Sequence, residues 1–109
     1  MFKAANIIMA PNADPRQHRA TIKGDLFEYT TVVIPIFNFD QAAQVGKELV
    51  EKEEVQSIDL CPGFSHEGVA KIRSALGEGV PINVSRGDVP SIMMTAQILA
   101  KEGWLPAGH

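Results

Sequence analysis

Thr30-Thr31-Val32-Val33-Ile34-Pro35-Ile36, followed by Asn38-Phe39-Asp40 and then by Ala42, Val45, Gly46, Leu49 and Val50, is the stretch that decides the fold. A run of β-branched residues suits a strand buried on both faces, and the spacing after it is that of a helix with one apolar side. Asn38 or Asp40 can accept a backbone N–H at the start of that helix. Downstream the alternation recurs twice. Ser57-Ile58-Asp59-Leu60 leads to the capping residue Ser65 and to Val69, Ile72 and Leu76, with Gly77 and Gly79 as the stop. Pro81 to Val84 leads to Pro90 at a helix start, to Ile92, Ala96 and Leu99, expected to face the sheet, and to Gly103 as terminator. Strands alternating with helices of this kind are joined by crossovers, and that predicts a parallel sheet.

Upstream, Lys3 to Met9 is the first strand, and the second starts at Tyr29. Between them Ala10 to Glu28 is too long to be structureless in so small a domain. Asp14-Pro15 can start a helix ending at Gly24, while Ala20-Thr21-Ile22, Lys23-Gly24-Asp25 and Leu26 to Tyr29 fit a hairpin. The hairpin is preferred, with the polar segment folding over one sheet edge as a lid. The expected architecture is therefore a single α/β domain over residues 1–109: a mainly parallel sheet of about four strands with helices on both faces, three-layered and flavodoxin-like or Rossmann-like. An extra hairpin strand is expected within residues 19–29.

Composition limits the function. The chain has 109 residues, 45% apolar and 21% charged, which suits one ordinary globular domain. A chain of this length buries roughly 60–70% of its unfolded surface and needs no staples. The lone Cys61 excludes an internal disulfide and any multi-cysteine metal site. Thirteen acidic against ten basic residues, with no basic run, argue against nucleic acid or an anionic membrane as partner. No apolar run approaches the roughly 18–20 residues of a membrane span, and the amino terminus lacks the pattern of a secretory signal. A cytoplasmic protein with a reduced thiol is expected. Aromatic residues in several loops and the Trp104-Leu105 end point to a homo-oligomer, a symmetric dimer being the simplest form. The terminal His109 is assigned no role.

In an open parallel sheet, ligands bind outside the carboxyl ends of the strands, where loops and helix amino ends gather. Four loops should meet there: Met9 to Asp14, Pro35 to Asp40, Cys61 to Glu67 and Ser85 to Asp88. They bring Asn12, Asn38, Phe64, Ser65, Arg86 and Asp88 forward as ligand-binding candidates. Cys61 and His66 are the catalytic candidates, because a helix amino end lowers the pKa of a nearby thiol and an imidazole can serve as its base. Both pairs also have structural readings. Cys61 can be a small core residue beside a solvated His66, and Arg86 can pair with Asp88 or Asp59 while Asp88 caps a helix. Asp59 would either point into the site or find a polar partner. Phe37, Phe39 and Phe64 could wall a pocket or plug the space beneath the loops. His18 and His66 lack the fixed spacing of ligands, so no metal is expected, and no cofactor either. There is no G-x-x-x-x-G-K-[ST] loop, no dinucleotide fingerprint and no C-x-x-C.

The run Leu60 to Gly87, LCPGFSHEGVAKIRSALGEGVPINVSRG, with Asp88-Val89-Pro90-Ser91 after it, resembles a small bacterial α/β protein family of unknown function. The resemblance implies a compact bacterial cytoplasmic domain and transfers no catalytic residue. Three functions stay open. One is a protein binding a small polar or anionic molecule at the carboxyl edge through Ser65, His66 and Arg86. The second is a small enzyme using Cys61 and His66, and the third a non-catalytic protein-interaction module.

Overall fold

A computed structural model of the chain describes residues 1–104. Its elements run in the order β1 (Phe2–Ala10), β2 (Arg19–Lys23), β3 (Phe27–Pro35), α1 (Phe39–Glu53), β4 (Ser57–Leu60), α2 (His66–Leu76), β5 (Ile82–Val84) and α3 (Val89–Lys101). Leu105 and the segment 106–109, including His109, lie outside the described residues.

Strands form one sheet in the order β2-β3-β1-β4-β5. The pairs β1–β3, β1–β4 and β4–β5 are parallel, whereas β2 pairs antiparallel with β3. The expected α/β class and mainly parallel sheet are present, with five strands where about four were expected. The fifth is the hairpin strand, since Gly24-Asp25-Leu26 turns β2 directly into β3. Before it, Pro11 to His18 is held by local bonds, as Arg16 N donates to Asp14 Oδ1 and Asp14 N to His18 Nδ1. His18 is thereby a loop-closing acceptor.

Without β2, the parallel strands follow the order β3-β1-β4-β5, the flavodoxin-like arrangement. From β3 to β4 and from β4 to β5 the chain moves the same way across the sheet. Right-handed crossovers therefore set α1 and α2 on one face, where they pack against each other. In a doubly wound sheet the link between the first two parallel neighbours is a helix on the other face. Here that link is β2, which lies in the sheet itself.

Burial follows the pleat. Ala5 and Ile7 of β1, Thr30, Val32 and Ile34 of β3, and Ile58 and Leu60 of β4 point to the α1–α2 layer and are buried. Ala42, Val45 and Leu49 of α1 and Ile72 of α2 meet them, together with Phe64. Each Leu or Ile so buried stabilises the fold by about 1.5–3 kcal/mol. Gly68 lets α1 and α2 approach each other within their layer: a Cβ there would lie 2.7 Å from the Phe39 ring.

Expected seats for Ile92, Ala96 and Leu99 against the sheet are corrected. These residues line a cleft with Pro62 and Gly63 at the carboxyl end of β4 and β5, and α3 buries none of its residues. The apolar period is real, but periodicity does not name the neighbour. Gly87 sets the helix's position, for a Cβ at this site would meet Ile92 at 2.7 Å and Pro62 at 3.6 Å.

Candidate functional site

The parallel strands bring the ends of β4 and β5 together, with Ser85 N donating to Leu60 O over 2.9 Å. Cys61 and Arg86, 25 positions apart in the chain, thus reach the same edge of the sheet. Beyond it lies a cleft of about 490 Å³ lined by Pro62, Gly63, Arg86, Gly87, Asp88, Ser91, Ile92, Thr95, Ala96 and Leu99. Its volume falls in the range of small-molecule pockets, roughly 300–1,000 Å³.

Polar groups of this cleft come from the β5–α3 link and one side of α3. Arg86 Nη2 lies 2.8 Å and Nε 3.0 Å from Asp88 Oδ1. Asp88 is the N-cap residue of α3, yet its side chain makes no capping bond. The guanidinium holds the carboxylate that would otherwise accept from the first turn. The amino end of α3 is consequently without a side-chain cap, and Ser91 and Thr95 offer hydroxyls along the same wall.

Other candidates are placed differently. Ser65 Oγ accepts from Gly68 N over 3.1 Å, which makes it the cap of α2. Asn38 Oδ1 accepts from Gln41 N at 3.1 Å and caps α1. Phe64 is buried in the core with its ring centroid 5.4 Å from that of Phe39, so this pair plugs the space under the loops. Phe37 is exposed and adopts a left-handed backbone, as does Asn12 in the turn after β1. His66 is exposed in the first position of α2, Cys61 is half-buried, and no hydrogen bond among the described residues joins them. Neither residue lines the cleft, nor does Ser65. Of the ligand-binding candidates, only Arg86 and Asp88 meet there.

Sheet order also explains why the cleft lies over β4 and β5. The crevice favoured in this topology is where the chain reverses direction across the sheet, between β1 and β4. Met9 fills it: its sulfur accepts from Phe37 N at 3.3 Å, and its methyl lies against Gly63.

A second concavity of about 630 Å³ lies on the sheet face opposite α1 and α2. Thr31, Asn6, Asp59 and Asn83 are register partners across β3, β1, β4 and β5 and form a polar row. Phe2, Ile22 and Tyr29 flank the row at one end, the Phe2 and Tyr29 rings meeting edge to face at 6.2 Å. No side-chain hydrogen bond among the described residues engages Asn6, Thr31 or Asn83. The available sequence signal was period two, which places Asn6 and Thr31 opposite the apolar residues of their strands. A strand expected to be buried on both faces gives no reason to single these residues out.

Among the described residues no helix is long and apolar enough to cross a membrane. No curated protein matches the chain, and no solved structure does. A family match extends over residues 2–100, taking in every strand and most of α3, and on that match the chain belongs to DUF6506, a family of unknown function.

Proposed function

We propose that this protein binds a small polar molecule bearing an anionic group in the cleft between the Pro62-Gly63 turn and α3. One observation carries the reading: Arg86 draws the Asp88 carboxylate onto itself and leaves the amino end of a 13-residue helix without a side-chain cap at the cleft wall. Such an end presents unpaired N–H groups and about half a positive charge. Ile92, Ala96 and Leu99 supply an apolar wall for the rest of the molecule. A carboxylate or phosphate arriving there competes with Asp88 for the same guanidinium. Ser65 and His66, first expected to share in binding, do not belong to this wall. In the same reading the protein acts in a bacterial cytoplasm with Cys61 as a free thiol.

Backbone amide NMR during titration with inorganic phosphate and with acetate tests this. Shifts confined to Ser91, Thr95 and Gly87, saturating with anion and lost in Arg86→Ala, support the pocket. An unmoved Ser91 at saturating salt-matched anion overturns it. An enzymatic reading through Cys61 and His66 has no comparable observation behind it. The interaction-module reading does: α3 carries a largely apolar surface and buries nothing.

A further inference from the structure

Two surfaces of this chain break general rules when the chain stands alone. Parallel strands occur almost only in sheets covered on both faces, yet here β1, β3, β4 and β5 have helices packed on one. A largely apolar helix normally buries a face, yet α3, whose only charge is Lys101 and whose other polar side chains are Ser91, Thr95 and Gln97, has no buried residue. Val89 is 70% exposed, Met93 61% and Met94 64%. Helical spacing places Met93, Gln97 and Met94 on the side of α3 away from the cleft, with Val89 and Ile98 flanking.

We infer that a second copy of this chain covers the open sheet face with its α3, reciprocally, in a symmetric dimer. Each unsatisfied surface then finds the other, and a twofold exchange satisfies both in both copies. The chain's own α3 lies instead beyond the carboxyl edge, along the cleft with Pro62 and Gly63 and with Ile92 close against Gly87. Charges agree as well. Asp59 is the one charged residue in the wall of the open face and Lys101 the one in α3, and neither takes part in an ion pair among the described residues. Flexible methionines suit a helix that must fit around the apolar end formed by Phe2, Tyr29 and Ile22. The accessible area is 7260 Å², against about 5,900 Å² for a compact monomer of this mass. That excess is larger than the roughly 800 Å² each partner contributes to an ordinary stable interface.

Sedimentation of the unmodified chain should give twice 11.8 kDa at micromolar concentration. The contact itself is read by cross-linking in a Cys61→Ser background. One chain carries Ala4→Cys on the open face, a differently tagged chain carries Met94→Cys on α3, and the two are mixed and mildly oxidised. The expected product joins the two different chains, and its yield falls at least tenfold when Ile22→Asp is added to the first. A monomer at all concentrations overturns the proposal. So does a product joining only Ala4→Cys to itself, which would mean sheet on sheet, or only Met94→Cys to itself, which would mean helix on helix. Retention of the mixed product at full yield with Ile22→Asp also overturns it.

Discussion

Asn6 and Ile7 are neighbours in β1 and belong to different worlds. Ile7 is fully buried beneath α1 and α2, whereas Asn6 stands in a polar row on a face no helix of its own chain packs against. One face is a core closed by side chains of the same chain, and the other is a surface suited to recognition. Stability should therefore be concentrated on the covered face of the sheet, whereas the two proposed binding surfaces lie at the open face and at the carboxyl edge.

The contrast fails if the faces respond alike to truncation. Leu60→Ala, on the covered side, should cost about 2–5 kcal/mol in denaturant unfolding, because its fully buried side chain leaves a cavity. Asn6→Ala, measured at concentrations where the chain is monomeric, should change stability by no more than about 0.5 kcal/mol. Gly68→Ala sharpens the picture of the closed side: Phe39 must move to admit the methyl, at about 1–3 kcal/mol. Gly46→Ala, whose new Cβ would meet Leu76 at an ordinary 3.8 Å, should instead stabilise by about 0.5–1 kcal/mol. The smallest effect separates the two helix starts. Ser65→Ala should cost about 1 kcal/mol through the lost cap of α2, while Asp88→Ala, which removes only an exposed ion pair, should cost under about 0.5 kcal/mol. Equal costs would mean that Asp88 caps α3 after all.

Much of the closed side was legible in the residues. The β-branched run at Thr31 to Ile34 and the spacing of Ala42, Val45, Gly46 and Leu49 report β3 and α1 because burial there is decided within the chain. Ser65 and Gly77 mark the limits of α2 because capping is local. The hairpin from β2 to β3 was equally readable from its turn residues. The site was less legible. Ser65, Asn38 and Phe64 have the chemistry of ligand contacts, but helix ends and the core claim them first, and a loop's composition does not reveal that competition. The seat of α3 was hidden for the opposite reason: Ile92, Ala96 and Leu99 have a helical period whatever they pack against. The row of Thr31, Asn6, Asp59 and Asn83 needs the strand order and register, which only long-range pairing decides.

The sheet's borders carry a last consequence. At one border β2 is exposed throughout and begins and ends with a cation, Arg19 and Lys23; at the other, β5 is three residues long and follows Pro81. Unpaired strand edges invite lateral addition of further strands, and charge, brevity and proline are the usual deterrents. Growth into fibrils by edge-to-edge stacking is thus discouraged on both flanks, and a crowded solution of this protein should favour finite assemblies over open-ended ones.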